Sequence, residues 1–369
     1  MYITVRPPVI RSQLNRRLFS HSPLNILFFG SDQFSIHSLK GINDLRQDGS
    51  KVGKLQVIAR PPKWCGRKNS ILRYPPIVKA AEELGLSSPL LCDTNADLVN
   101  LRQVVKDGQY NMIIAVSFGK LIPGKLINDV LYALNVHPSL LPRYKGASPI
   151  QYTLLNRDEK TGVTVQTLHP SKFDQGSIVA RTKPLNVDQL LAKGITSEFE
   201  DDVPIKTAIM MDQLGMEGSN VLKDVITHGL YLRDCNETTE IEPSYAPKIT
   251  TEMRQINWES DEPESLLNKL QVLGPIFTHK QITTRDGVTA KRILFHDLKV
   301  VSQCPDDLKK PGEFTFDESK RNLYVKCKTN CVQVNSIQFE GFKVDNAKQF
   351  MTSLRKRCGP EMAQQKVFL

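Results

Sequence analysis

The sequence predicts a doubly wound, mostly parallel α/β sheet followed by a small C-terminal β-barrel. Three observations carry this reading. Short, mainly apolar runs alternate with helical patterns over the first two thirds of the chain, as buried parallel strands and their crossovers do. A polar stretch ending in Pro243 and Pro247 then interrupts the pattern. Beyond it the texture turns to short β-rich runs punctuated by Gly312, Gly341 and polar turns.

The elements follow in order. Asn25–Phe29 is a buried strand that stops at Gly30, and Ser31-Asp32 offers N-caps for a helix to about Asp44. Leu55–Ala59 is a second strand, with helices over Ile77–Leu84 and Ala96–Val105. Met112–Val116 is the next buried strand; a helix near Lys125–Val130 leads into strand Ala133–His137. Thr161–Leu168 begins another strand, whose hairpin partner Ile178–Thr182 returns across an Asp174-Gln175-Gly176 turn. Ile209, Met210, Leu214, Val221 and Val225 form one stripe of a long helix over Ile205–His228. The later β-runs are Arg292–Phe295, Lys299–Val301, Leu323–Lys326 and Val332–Phe339. The expected division is a disposable leader over 1–22, a catalytic domain over 23–229, a linker over 230–247 and a second domain over 248–369.

Length and composition agree. The chain has 369 residues, enough for two ordinary domains, with 40% hydrophobic and 24% charged residues. No apolar run is long enough to span a bilayer, so no membrane partner is expected. The formal net charge is +10, which suits a polyanionic partner without proving one. Part of it lies in Arg6, Arg11, Arg16 and Arg17, ahead of the first acidic residue, Asp32. Arg-rich, Ser-containing and acid-free is the composition of a mitochondrial transit peptide; a basic tail is the plainer alternative. Residues 248–369 keep 20 Lys/Arg against 15 Asp/Glu. That surface fits nucleic acid, or only solvent. The 7 cysteines are scattered with no CxxC pair, so they read as unpaired strand and loop residues of a reducing compartment.

The chemistry concentrates in Ala133–Arg143. Alternate residues of a strand share a face, so Asn135 and His137 point together while Leu134 and Val136 point away. Pro138, which has no amide donor, ends the ladder. An amide and an imidazole therefore emerge at the carboxyl end of a buried strand, where open α/β sheets bind ligands. Asn can donate to a developing oxyanion, and His can move a proton or stabilise that charge. Asp174, in the tight turn after a neighbouring strand, is the candidate to orient the imidazole. No GxSxG elbow and no cysteine stands near the strand end, so the set suits direct acyl transfer, with the acceptor amine as nucleophile. Spacing alone also fits a merely structural Asn–His pair.

A dinucleotide fingerprint, a P-loop, HExxH and an EF-hand are all missing. The stretch 60–74 is basic, with Arg60, Lys63, Arg67, Lys68 and Arg73, and Trp64 and Tyr74 are interleaved. Cations with aromatics suit phosphate contact and stacking on an unpaired base, though a solvated loop would look similar.

The run Asn135-Val136-His137-Pro138-Ser139-Leu140-Leu141-Pro142, followed by Gly146–Gln151, resembles the signature of the folate-dependent formyltransferases, most of all the methionyl-tRNA formyltransferases of the fungal mitochondrial branch. Thr161–Thr164 with Asp174–Gly176, Phe29-Gly30-Ser31 with Phe34, and Phe118–Pro123 are similar to other stretches of that family. Ser244–Ile249 and Ile256–Trp258 resemble the entry into its C-terminal domain. The resemblance implies a formyltransferase-like Rossmann variant with an OB-like barrel that helps hold tRNA. It implies that Asn135 and His137 stabilise the tetrahedral intermediate while Asp174 orients His137. Ser139, Leu140, Leu141 and Pro142, with Phe118, Gly119, Leu121 and Ile122, would contact the folate. Arg60, Lys63, Trp64, Arg67, Lys68 and Arg73 would meet the acceptor end of tRNA. The co-substrate would be 10-formyltetrahydrofolate with no metal, the partner methionyl initiator tRNA rather than DNA, and the place the mitochondrial matrix, with the enzyme a monomer. Three departures bear on loop contacts: Pro138 where bacterial members carry Gly, His169–Phe173 ahead of the turn, and Trp64-Cys65 in the basic loop. A formyltransferase for a small amine and a non-catalytic tRNA-binding protein are the alternatives.

Overall fold

A computed structural model describes residues 23–49, 51–66, 69–199, 203–233 and 240–369. The expected leader over 1–22, and Arg67 and Lys68, lie outside the described residues. In chain order the elements are β1 (Leu24–Phe29), α1 (Gln33–Gln47), β2 (Val52–Ala59), β3 (Lys63–Cys65), β4 (Ile71–Arg73), α2 (Pro76–Glu83), β5 (Leu90–Leu91), α3 (Asn95–Gly108), β6 (Met112–Val116), α4 (Gly124–Ile127), β7 (Tyr132–His137), α5 (Pro149–Leu155), β8 (Lys160–Thr161), β9 (Thr164–Thr167), β10 (Ile178–Arg181), β11 (Leu185–Asn186), α6 (Val187–Lys193) and α7 (Ile205–Thr227). Then come α8 (Pro263–Leu273), β12 (Ile276–Thr284), β13 (Gly287–Val300), β14 (Phe314–Asp317), β15 (Asn322–Lys326), β16 (Cys331–Phe339), β17 (Val344–Asn346), α9 (Ala347–Cys358) and α10 (Pro360–Gln364). The chain divides into two compact units; the second holds 248–369 together with the short stretches 150–158 and 198–209.

The first unit is built on a seven-stranded sheet in the order β10-β9-β7-β6-β1-β2-β5. Strands β7, β6, β1, β2 and β5 are parallel, and β9 and β10 join antiparallel at one edge. Strand β6, and β1 from Ile26 onward, are apolar because both of their faces are covered. On one face Leu27, Phe29, Ile58, Ile113 and Ala115 pack with Leu98, Leu101 and Val105 of α3. Each of the larger side chains contributes about 1.5–3 kcal/mol by leaving water. Thr94 and Asp97 cap α3 reciprocally, which fixes where that helix starts. On the other face α7 comes close enough that a Cβ on Gly218 would lie 3.2 Å from Val163 and 3.3 Å from Val136. The carboxyl ends of β1, β6 and β7 therefore sit side by side, and the loops that leave them share one edge.

The second unit is an antiparallel sheet in the order β12-β13-β16-β15-β14, with β17 paired to β16. The strand runs expected at 292–295 and 299–301 are parts of one long strand, β13, bent where its register shifts around Asp297. The C-terminal tail closes the sheet on itself. Phe314 N–H donates to Lys366 O and Phe368 N–H to Gly312 O beside β14, while Leu369 N–H donates to His279 O of β12. Phe368 stacks on Phe314 and on Trp258 in the core.

One cysteine expectation is overturned. Cys304 and Cys331 form a disulfide, their Cα atoms 5.3 Å apart. Pairing of Val300 with Val332 returns the loop after β13 to the start of β16, so two cysteines 27 residues apart become neighbours.

Candidate active site

Asn135 and His137 lie on β7, opposite Gln166 and Thr164 of the antiparallel strand β9. Asp174 follows β9 in the turn that leads to β10. Its φ of 51° is left-handed, a conformation Asp tolerates better than most residues. Gly176 completes the turn; a Cβ there would lie 1.6 Å from Thr167 O, so a side chain cannot be accommodated.

The structure brings the three sequence candidates together around one carboxylate. Asp174 Oδ1 accepts from Asn135 Nδ2 at 3.2 Å and from Gln166 Nε2 at 3.0 Å. The same oxygen faces His137 Nδ1 at 3.4 Å. Oδ2 accepts from Gly146 N–H at 2.8 Å. The Asp174 side chain is only 8% exposed, so these contacts act in a low-dielectric setting. The other imidazole nitrogen, Nε2, lies 2.9 Å from the Tyr144 carbonyl. A carbonyl only accepts, so Nε2 carries the hydrogen, and in the neutral ring Nδ1 is the nitrogen with the lone pair. Asn135 has a second amide hydrogen beyond the one given to Asp174.

Sequence reasoning missed Gln166 and the backbone groups of Tyr144 and Gly146. The signal for Gln166 was present as a lone amide between Val165 and Thr167 of β9. Its facing of Asn135, however, is a matter of register that no local pattern reveals.

The segment after β7 is held by its own hydrogen bonds. Ser139 Oγ donates to Arg143 O at 2.6 Å, and Thr164 Oγ1 donates to Ser139 O at 2.7 Å. Leu141 N–H donates in turn to Thr164 Oγ1 at 3.1 Å. Ser139 and Leu141 are buried, while Leu140 and Pro142 are partly exposed. Phe118 and Ile122, which follow the neighbouring strand β6, are buried too, with Phe118 edge-on to Phe29 at 5.1 Å. Leu121 is half-buried, and Gly119 is exposed at φ 72°. The 169–173 stretch is organised by His169, whose Nδ1 accepts from the backbone N–H of Ser171 and Lys172 at 3.2 and 3.1 Å.

The basic stretch 60–74 is a hairpin rather than a loop: β3 and β4 pair, with Lys63 opposite Arg73 and Trp64 opposite Leu72. Trp64 is 62% exposed, and Ile71, Leu72 and Tyr74 are exposed as well. Arg60 is taken up by Asp93, its Nε 3.1 Å from Oδ1.

Asp32 stands at the same edge, after β1. It caps α1 by accepting from Ser35 N–H at 3.1 Å. Burial pushes its pKa up to about 6, against the hydrogen bonds from Ser35 and Ser117 that pull it down. Its folded pKa thus exceeds the ordinary 3.8. The stability it contributes is complete below that value and is lost as pH rises through about 6. Asp32→Asn keeps an N-cap and stays neutral. The variant is expected to be more stable than the parent at pH 7.5, by about 1–3 kcal/mol, and equal to it near pH 4. Melting curves across that range check this; parallel curves would show that Asp32 titrates normally.

Among the described residues no group of three His, Cys, Asp or Glu side chains could hold a metal ion, and no helix is long and apolar enough to cross a membrane.

Asn135, His137 and Asp174 thus cluster at the carboxyl edge of a mostly parallel sheet, and comparison with known proteins gives the chain a family. Residues 24–198 match the formyl transferase family model, and residues 248–355 match the model for the formyl transferase C-terminal domain. The chain belongs to the formyl transferase family. It is 47% identical to the mitochondrial methionyl-tRNA formyltransferase of Saccharomyces cerevisiae over 94% of this chain and 93% of that protein. Identity to the methionyl-tRNA formyltransferase of Lactococcus lactis is 26%, over 90% and 96% of the two chains. Within the family, its place is with the methionyl-tRNA formyltransferases. Among solved structures, a variant of HypX from Aquifex aeolicus shares the fold, with a TM-score of 0.53 at 14% identity. The match covers 91% of this chain and 48% of HypX, so the chain spans about half the length of that protein.

Proposed function

We propose that this enzyme transfers the formyl group of 10-formyltetrahydrofolate to the α-amino group of methionyl initiator tRNA in the mitochondrial matrix, with Asn135, His137 and Asp174 as its catalytic residues. The observation that carries the reading is the convergence of Asn135, His137, Gln166 and Gly146 on the Asp174 carboxylate. The methionyl nitrogen attacks the formyl carbon, a C–N bond forms, and the carbonyl π electrons move onto oxygen. That oxyanion meets the second N–H of Asn135, joined by the His137 imidazole once its Nδ1 has taken up the amine's proton. The attacking amine gives up a proton, for which His137 Nδ1 is the free base, and the imidazolium so formed lies beside Asp174. Collapse of the intermediate breaks the bond to N10, which takes a proton as it leaves. The side chains supply the electrostatics, and no metal is needed. The folate lies along 118–122 and 139–142, in the segments that follow the carboxyl ends of adjacent strands.

The β3–β4 hairpin grips the acceptor end. Trp64→Ala is expected to raise KM for methionyl-tRNA about tenfold, the scale of one lost base stack. Turnover at saturating tRNA should stay near the parent value, and folate affinity should not change. Steady-state kinetics with tRNA as the varied substrate checks this; an unchanged KM would remove the hairpin from the tRNA site.

A further inference from the structure

Tyr245 is 68% exposed, yet its backbone is held on both sides. Its backbone is laced to the segment that carries the catalytic cluster. Lys145 N–H donates to Ser244 O at 2.9 Å, Ala246 N–H to Lys145 O at 2.7 Å, and Ser148 N–H to Ala246 O at 3.1 Å. Tyr144 N–H donates to Ser244 Oγ at 2.9 Å. The ring lies against Gly146, where a Cβ would come within 2.7 Å of Tyr245 Cε2. Three residues of main chain thus do three things. Tyr144 O holds His137, Gly146 N–H holds Asp174, and the bare face of Gly146 seats the Tyr245 ring. No catalytic contact uses that ring, and its exposure is not what a packing role needs. Lys145 stands beside it, and among the described residues the partner of its ammonium is the neutral Gln175 amide, at 3.2 Å.

We propose that Tyr245 is a stacking platform for the base of the 3′-terminal nucleotide of the acceptor strand, with Lys145 facing the adjoining phosphate. This rests on the tRNA reading above. The occupant follows from chemistry: the reacting methionine is esterified to the terminal ribose, so that base is one sugar away from the amine. A fixed, exposed aromatic face at the rim of the catalytic cluster, next to a cation, is what a terminal base requires. The folate ring could use the same π-face, but its proposed segments follow β6 and β7, whereas Tyr245 comes from the 244–246 stretch laced across 144–148.

The test uses the full chain, Tyr245→Phe and Tyr245→Ala, and methionyl-tRNA carrying 2-aminopurine as its terminal base. Tyr245→Ala is expected to raise KM for natural methionyl-tRNA about tenfold, with kcat and folate affinity near the parent values. Tyr245→Phe should behave as the parent. Quenching of 2-aminopurine on binding should appear with the parent and Tyr245→Phe and vanish with Tyr245→Ala. Unchanged KM and quenching in Tyr245→Ala overturn the proposal. A loss of folate affinity would give the platform to the folate instead. A fall in kcat at constant KM would reduce Tyr245 to a support for Gly146 and Asp174. If the parent enzyme itself fails to formylate tRNA, it is the underlying tRNA reading that has failed.

Discussion

Replacing His137 with alanine is expected to lower the turnover of formyl transfer by about a hundred- to a thousandfold, the usual consequence of losing one group that stabilises a developing oxyanion. Methionyl-tRNA binding should persist, because the hairpin and the second unit, which are expected to hold the RNA, lie elsewhere in the sequence. His137 is 5% exposed and its Nε2 partner is a backbone carbonyl, so the variant leaves a small void and loses one buried hydrogen bond. A modest loss of stability should accompany the kinetic effect, and a thermal melt separates the two. Asn135→Ala should fall in the same range. The double variant should fall less than the product of the single losses, because both residues serve one oxyanion and share one carboxylate. Near-parental turnover in His137→Ala would remove the imidazole from the mechanism.

Asp174→Asn is expected to be more damaging still, with turnover down by about a thousandfold or more and stability lowered by about 1–3 kcal/mol. The carboxylate takes hydrogen bonds from Asn135 Nδ2, Gln166 Nε2 and Gly146 N–H, and faces His137. An asparagine tolerates the left-handed φ of 51°, so the turn can survive the change. Its amide, however, offers one acceptor oxygen and an NH2 group to partners that are themselves donors. At least one buried donor is orphaned, and the negative charge that would hold an imidazolium is gone. Single-turnover rates and equilibrium unfolding check the two effects. Parental turnover at neutral pH would show that Asp174 shapes the turn and nothing more.

Strand β7 was legible because its pattern is periodic: Asn135 and His137 sit two apart in a run that Pro138 ends, so their shared face follows from strand geometry alone. Strands β1 and β6 were legible as unbroken apolar runs, and β13, β15 and β16 in part. What the sequence withheld depends on contacts made at a distance. Arg60 reads as a free cation until Asp93, 33 residues later, turns out to hold it. Strands β3 and β4, three residues each, have no period to detect, so the hairpin looked like a basic loop. The tail that closes the barrel is marked only by a few apolar residues around Phe368. Helix α9 is different, since Asn346 and Gln349 form a capping box ahead of Phe350 and Leu354. Its signal was present and was overshadowed by the β-rich texture around it.

The central claim is that one active site joins folate-borne formyl chemistry to a tRNA-borne amine. The most direct measurement offers the protein 10-formyltetrahydrofolate with methionyl initiator tRNA, elongator methionyl-tRNA and glycinamide ribonucleotide as separate acceptors, and follows the formyl label. The expected result is transfer to the methionine of initiator tRNA, with the elongator poorly used and the small amine untouched. Transfer to glycinamide ribonucleotide alone, or tRNA bound with no transfer to any acceptor, would contradict the account.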